Sequence, residues 1–255
     1  MKNNQLKKTG ASIRHQFEKL FGRTTESKKS FEKGKPYLRD DDGILALHLD
    51  LLSVQSEMCI EMPDKLVLSY TRAMMNFLLI EPSPKNIAMI GLGGGSLAKY
   101  CYRHLPQTEM TVVEINPDVI ALRNEFAIPP DDARFAVLLG DGAEFVAESG
   151  KQFDVLMVDG FDAGGLPAQL SSQQFYDDCF ASLADHGIMV VNLWGSNAHY
   201  KDCLARIHNS FADCVAVVCG EDSLNNIVLA MKSAESLPLP ARFATAQICF
   251  ACRIR

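Results

Sequence analysis

Residues 86–96 of the chain are NIAMIGLGGGS, and this stretch decides the fold class. The short apolar run Ile87–Ile90 is typical of a buried strand. The glycines after it allow the backbone to turn sharply and to approach a ligand closely, and the helix that follows offers free N–H groups. Plain tight turns use glycine as well. The spacing is G-x-G-x-G, with Ser96 in place of the last glycine of the dinucleotide fingerprint G-x-G-x-x-G, which disfavours NAD.

Working outward from this stretch, strands alternate with helical segments. Apolar strands are predicted near 87–90, 110–114, 134–138, 154–158 and 187–193, each followed by a turn and a helix. Such alternation predicts a parallel sheet with helices on both faces. Strands near 213–218 and 226–231 are too close together for a crossover helix, so we expect them to pair antiparallel. The predicted class is α/β with a Rossmann fold, mainly parallel with an antiparallel last strand, and it resembles the class I methyltransferase arrangement.

A small β element is predicted before this sheet. From Ile44, apolar and polar residues alternate with a period of two, and a second short strand around Val54–Ile60 would complete a hairpin. Helical spacing then extends to Phe77. We therefore expect a basic arm and linker at 1–43, a small N-terminal β-hairpin and helix at 44–84, and a nucleoside-binding Rossmann-like domain at 85–255. In the arm, a short helix with one apolar face is expected to dock on the body or on a partner subunit; its apolar residues are Ile13, Phe17, Leu20 and Phe21.

Charge and composition narrow the functional classes. Residues 1–35 carry ten Lys/Arg and three Asp/Glu, a net charge of +7, and the remaining 220 residues carry a net charge of −13. An acidic body disfavours nucleic acid and suits a cationic substrate, although it also serves solubility. The chain shows neither a spanning apolar run nor a secretory signal, so we expect a cytoplasmic protein without a membrane partner. Among the eight cysteines only Cys249 and Cys252 have C-x-x-C spacing, so we expect reduced thiols and no metal site.

Acidic residues stand at successive strand ends. Glu114 ends the second strand, where a carboxylate can accept hydrogen bonds from ribose hydroxyls. Asp141 follows the third strand, which we expect to flank the first, and can accept one from an adenine amino group. Either acid alone is explained equally well as a helix N-cap. Their coincidence at the edge where such ligands bind favours a nucleoside site, with cofactor-binding residues Gly91, Gly93, Gly95, Glu114, Asp141 and Gly142.

The segment Phe153–Asp162, FDVLMVDGFD, gives the sequence a family resemblance. It resembles the Y-D-V-I-(I/V)-x-D-S-(S/T)-D-P motif of the spermidine synthase (polyamine aminopropyltransferase) family, with both acids at the family's spacing. The resemblance covers roughly residues 45–231. Further matches are Val113–Ile115, Asp118–Ile120, Gly140–Phe145, Gln174–Tyr176 and, in the hairpin, Leu49, Asp50 and Gln55.

This resemblance implies transfer of an aminopropyl group from decarboxylated S-adenosylmethionine to a small-molecule amine, a polyamine, with release of methylthioadenosine. By position, Asp159 is the amine-activating catalytic acid, although Asp also commonly caps loops and helices. The resemblance further implies a homodimer. The implied substrate-binding residues are Asp162, Gln55, Tyr70 and Tyr176.

The sequence departs from the family pattern in three regions. Gly94 stands where the family has the Asp that holds the aminopropyl ammonium. On the preceding helix, Thr71 replaces a Gln and Arg72 replaces an acid. The late loop reads Val218-Cys219-Gly220-Glu221 where the family has a Tyr-Pro-x-Gly stretch. A methyltransferase that uses intact S-adenosylmethionine is the main alternative. Gly94 in place of the family Asp would relax selection for the decarboxylated co-substrate, and Arg72 would pair with the methionine carboxylate if it faced the site. A non-catalytic nucleoside-binding module is the other.

Overall fold

The computed structural model describes residues 34–50, 53–150, 152–162, 165–212, 214–219, 224–233 and 248–249. They belong to one compact unit of the chain, Lys33–Arg255. The predicted arm helix lies outside the described residues, and so does Cys252 of the Cys249/Cys252 pair. Of the helices that are described, none has the length and apolar character needed to cross a membrane.

A three-stranded antiparallel sheet opens the described chain. Its strands are β1 (Tyr37–Asp41), β2 (Ile44–His48) and β3 (Ser56–Cys59), in the order β1-β2-β3. The predicted hairpin is confirmed as β2 and β3. Strand β1 was not anticipated, because its residues fall in the stretch assigned to the arm and linker. It pairs with β2 through a two-residue turn in which Asp42 and Gly43 both have positive φ, 49° and 80°, as a primed hairpin turn requires.

The helical spacing after this sheet yields two short helices. Helix α1 (Ser69–Met74) runs directly into a 3₁₀ helix (Met75–Leu79). Met74 and Phe77 are completely buried and anchor the pair to the core. This packing places Tyr70 and Thr71 beside the main sheet.

The main sheet contains eight of the described strands, and helices connect most of them. The elements are β4 (Asn86–Ile90), α2 (Ser96–His104), β5 (Glu109–Glu114), α3 (Pro117–Ile120), β6 (Phe135–Leu139), α4 (Gly142–Glu148), β7 (Phe153–Val158), α5 (Gln173–Ser182), β8 (Leu183–Trp194), α6 (Tyr200–Phe211), β9 (Val215–Cys219), β10 (Asn225–Met231) and β11 (Ile248–Cys249), with a 3₁₀ helix (Ala168–Ser171) between β7 and α5. The strand order is β11-β9-β10-β8-β7-β4-β5-β6. Neighbours from β8 through β6 pair in parallel, and β10 lies antiparallel between β8 and β9. The predicted fold class is therefore confirmed.

The neighbours of β4 differ in one respect from the expectation. Strand β6, which precedes Asp141, was expected to flank β4, but it pairs with β5 at the sheet edge, and β7 flanks β4 instead. The chain therefore moves outward from β4 through β5 to β6 and then returns to the other side of β4. That reversal makes the carboxyl ends of β4, β5 and β7 a topological switch point, where α/β sheets bind ligands.

Both faces of the sheet are covered. Along β4, Ile87 and Met89 pack into one core cluster while Ala88 and Ile90 pack into the other. This follows from the two-residue period of a strand, since a strand buried on both faces is apolar at every position.

Candidate active site

A cavity of about 710 Å³ opens at the switch point. Its walls come from the N-terminal sheet and the turn between β2 and β3, from α1, and from the carboxyl ends of β4, β5, β7 and β8. The volume is typical of small-molecule sites. Of the predicted site residues, the structure brings these together around it: Gln55, Tyr70, Gly91, Gly93, Glu114, Asp141, Gly142, Asp159 and Asp162.

The glycine loop is held against the end of β7. Gly91 has φ +92°, and a Cβ there would lie 2.3 Å from the backbone oxygen of Asp159, so the two strand ends approach closely only because residue 91 has no side chain. Gly93 lines the cavity. Gly95 does not; it is the N-cap residue of α2, in the left-handed conformation. Its predicted cofactor role is thus reduced to shaping the turn that begins the helix.

Glu114, at the end of β5, binds the backbone of the glycine loop. Its Oε2 accepts a hydrogen bond from the Leu92 backbone N–H at 2.8 Å, and its Oε1 accepts one from the Asn116 N–H at 2.8 Å. The residue is buried but lines the cavity. A carboxylate oxygen accepts more than one hydrogen bond, so each oxygen retains capacity for a ribose hydroxyl.

Asp141 is a helix cap that also lies in the cavity wall. Its side chain caps α4, with Oδ1 accepting from the Ala143 N–H at 2.7 Å, and the residue lines the cavity. The next position has no room for a side chain, because a Cβ at Gly142 would lie 2.2 Å from the side chain of Ile90.

Both carboxylate oxygens of Asp159 accept hydrogen bonds from side chains of other elements. Its Oδ1 accepts a hydrogen bond from the Asn192 side-chain amide at 2.8 Å, and its Oδ2 accepts one from the Tyr70 hydroxyl at 3.2 Å. Its backbone N–H bonds to Ile90 at the end of β4. The side chain thus faces α1 and β8 within the cavity wall.

The charge state of Asp159 follows from this setting. Loss of solvent raises the pKa of its carboxyl above the ordinary value, and the hydrogen bonds from Asn192 and Tyr70 act in the opposite direction. Burial and the neighbouring Asp159 raise the pKa of Tyr70 well above its ordinary value, so the phenol keeps its proton and donates. Two neutral donors, rather than a cation, therefore support the carboxylate.

Two predicted substrate residues have different outcomes. Gln55 lines the cavity from the turn between β2 and β3. Tyr176 does not reach it: the side chain is completely buried on the inner face of α5, in a core cluster with Phe175, Cys179 and Cys203. The family match identified the residue type, but the direction of a helical side chain depends on the face that packs against the sheet.

The family departures are explained locally. A Cβ at Gly94 would lie 2.7 Å from the Ser56 Oγ and 2.8 Å from the Phe126 ring, so an Asp at this position would have to displace both. Thr71 lines the cavity and donates its hydroxyl hydrogen bond to Leu68 O at 2.6 Å.

Arg72 does not line the cavity. Its Nη1 donates to the backbone oxygens of Leu66 and Val67 at 3.0 and 2.7 Å. The condition for its pairing with a methionine carboxylate, that it face the site, is therefore not met.

The cavity is acidic. Among the described residues that line it there is no Lys, Arg or His, and five are carboxylates: Asp50, Glu114, Asp141, Asp159 and Asp162. Such a surface attracts a cationic ligand.

Some cavity residues were missed by the sequence reasoning. Asn192 is a single polar residue near the end of the apolar strand β8, and it was passed over because its partner is known only once β7 and β8 pair. Phe161 and Trp194 also line the cavity. Their signal was their position two residues after Asp159 and Asn192, Phe161 on the loop that leaves β7 and Trp194 at the last position of β8.

Comparisons with known proteins agree with this geometry. A family model described as the spermine/spermidine synthase domain matches residues 67–220. A polyamine aminopropyltransferase of Neisseria meningitidis serogroup A is 38% identical over 198 residues, which are 77% of this chain and 75% of that relative.

Two solved structures show the shared fold. A probable spermidine synthase from Corynebacterium glutamicum has a TM-score of 0.66 at 24% identity, covering 78% of this chain and 77% of its own. The human methyltransferase-like protein 13, in complex with SAH, has a TM-score of 0.61 at 24% identity, covering 69% of this chain and 87% of its own. At this identity the likeness extends to the fold and not to the reaction.

Proposed function

The chain belongs to the spermine/spermidine synthase family, and on that premise we propose that it transfers an aminopropyl group from decarboxylated S-adenosylmethionine to a polyamine or diamine acceptor. The observation that carries the proposal is the placement of Asp159. Tyr70 and Asn192 hold its carboxylate in the wall of a cavity whose described charged side chains are all acidic.

The reaction needs little covalent help from the protein. The lone pair of a neutral amine attacks the carbon next to the sulfonium, the carbon–sulfur bond breaks with its electron pair going to sulfur, and neutral methylthioadenosine leaves. The new nitrogen–carbon bond makes the nitrogen cationic, and this nitrogen then loses a proton. The tasks left to the enzyme are to align the partners and to keep the attacking nitrogen unprotonated.

Asp159 is suited to both tasks. Its oxygens each have one neutral donor, so each retains capacity to accept from the amine. The raised pKa brings the carboxyl nearer the working range of a general base than an exposed Asp. Asp162, on the same loop, adds a second negative charge beside the amine.

The nucleoside half is assigned to the other strand ends. Glu114 would accept from the ribose hydroxyls and Asp141 from the adenine amino group, with Gly91, Gly93 and Gly142 allowing close approach. Both acids already have backbone partners that fix their orientation, so the site is preorganised for the ligand.

Charge favours the decarboxylated co-substrate. Intact S-adenosylmethionine would bring its carboxylate into a cavity whose described lining has five acids and no cationic side chain. Arg72, one of the two departures on which the methyltransferase alternative was based, donates to backbone oxygens instead of facing the cavity. We also propose that the protein acts inside the cell as a homodimer, as the family resemblance implies, and analytical ultracentrifugation of the full chain tests the dimer.

Mass spectrometry of the products tests the proposal. The full chain is incubated with decarboxylated or intact S-adenosylmethionine and a panel of linear diamines and polyamines. We expect an amine product heavier by one aminopropyl group, formed together with methylthioadenosine and only with the decarboxylated compound. A product heavier by a methyl group would establish the methyltransferase, and unchanged amines throughout would leave a nucleoside-binding module.

A further inference from the structure

Two aromatic side chains form a part of the cavity wall that the transfer chemistry does not use. The rings of Phe161 and Trp194 lie edge to face, with centroids 6.4 Å apart and an interplanar angle of 60°. Both residues line the cavity, and Trp194 is 43% exposed. We propose that this aromatic pair holds the carbon chain of the acceptor amine and selects acceptors by chain length, an inference that rests on the proposed aminopropyl transfer.

The position of the pair relative to Asp159 supports this role. Phe161 is two residues beyond Asp159 on the loop that leaves β7. Trp194 is two residues beyond Asn192 on β8, and side chains two apart on a strand share a face. Because β7 and β8 are parallel neighbours, both aromatic residues lie one step outward from the Asp159–Asn192 hydrogen bond.

An acceptor with its reacting nitrogen at Asp159 therefore extends along the aromatic pair. The attraction between a carboxylate and an ammonium group depends little on the length of the carbon chain that carries the ammonium, since charge attraction is not directional. Ring surfaces instead bury methylene groups, and each methylene so buried strengthens binding about fourfold. The wall thus adds a dependence on chain length that the acidic residues do not supply. An ammonium at the far end also gains from the face of the indole.

The pair has its own spectroscopic reporter. Trp194 is the single tryptophan of the chain, so tryptophan emission of the full-length protein comes from this residue. The protein is saturated with methylthioadenosine and titrated with propane-, butane- and pentane-diamine, none of which fluoresces. We expect each amine to change the emission, with affinity rising about fourfold per methylene until the wall is covered. Emission that stays constant while calorimetry records amine binding would overturn the proposal.

Substitution separates chain selection from catalysis. In Trp194→Ala we expect the rise in affinity with chain length to disappear. The KM for the longest amine should be at least fourfold higher than in the wild type. The kcat and the affinity for methylthioadenosine should stay close to wild type. Trp194→Phe should retain most of the gradient. Leu79→Ala is the matched control, since Leu79 is 44% exposed and lies outside the cavity lining; it should behave as wild type.

The outcomes distinguish this inference from the proposed function. If the wild type transfers to no amine, the proposed function fails and this inference with it. If the wild type transfers and Trp194→Ala keeps the same chain-length gradient, only the aromatic wall is wrong.

Discussion

Asp159 shows how single residues set the chemistry of the site. Its carboxylate lies at the end of a buried strand, where desolvation raises its pKa, and Tyr70 and Asn192 each donate one hydrogen bond that partly offsets the rise. An acid supported by neutral donors keeps its negative charge available to a cationic ligand. A cationic partner would instead have neutralised it.

Replacing Tyr70 tests this arrangement. The hydrogen bond from Tyr70 lowers the pKa of Asp159, so Tyr70→Phe should raise that pKa. In the proposed mechanism the carboxylate is the active form, and a higher pKa means that this form is lost at a higher pH. The acidic limb of the kcat/KM profile should therefore move to higher pH than in the wild type, as measured by transfer rates across the acidic range.

Tyr102→Phe is the control for this change. Tyr102 donates to Asp132 at 2.7 Å outside the cavity, so its loss removes the same kind of hydrogen bond and should leave the limb unmoved. An acidic limb of Tyr70→Phe that stays in place, or shifts to lower pH, would contradict the role of Tyr70.

The residue scale is also where sequence reasoning was least complete. Gly91, Glu114, Asp141 and Asp159 were found because their positions follow from strand ends. Asn192 was missed because the partner of a strand residue depends on tertiary packing. Tyr176 was misplaced because the direction of a helical side chain depends on that packing as well.

At the scale of elements, the site depends on how closely the ends of β4 and β7 approach each other. Gly91 makes the approach possible, since the Asp159 backbone occupies the place of a side chain. The strands themselves were predictable, because those buried on both faces are continuous apolar runs. The neighbours of β4 and the existence of β1 were not predicted. The Asp42-Gly43 turn is a strong hairpin signal, but it falls just before Ile44, where the alternating pattern begins, and so it was included in the arm and linker.

Gly91→Ala tests the close approach. A methyl group there would lie 2.3 Å from the Asp159 oxygen at a φ of +92°, so we expect loss of methylthioadenosine binding together with lower stability. Gly43→Ala is the matched control, with a φ of +80° and nothing within 4 Å of its Cβ. It should lose roughly 1–2 kcal/mol from left-handed strain alone.

The difference in the free energy of unfolding between the two variants isolates the effect of the steric conflict. Gly91→Ala should lose a further 1–3 kcal/mol or so from the steric conflict, measured by denaturant unfolding. Equal losses in the two variants, with methylthioadenosine binding retained in both, would show that the strand ends do not need a glycine.

At the scale of the whole molecule, the acidic body and the acidic cavity agree. The sequence has an excess of negative charge, and five of its carboxylates line the cavity. Solubility explains much of the excess of acidic residues, and the cavity explains why five of them lie close together. The fold positions three of these acids, Glu114, Asp141 and Asp159, at the ends of the successive strands β5, β6 and β7, so the sequence pattern predicted the location of the site more securely than the reaction performed there.

In the proposed function this cavity binds the nucleoside through Glu114 and Asp141 and activates the amine through Asp159. Asp159→Asn separates the two halves, because the amide fills the same space but cannot take a proton. We measure methylthioadenosine affinity by calorimetry and aminopropyl transfer on the same preparations of wild type and variant. We expect nearly unchanged affinity and a transfer rate lower by about 10²–10⁴-fold. Transfer by the variant at the wild-type rate, with affinity retained, would contradict the proposed role of Asp159.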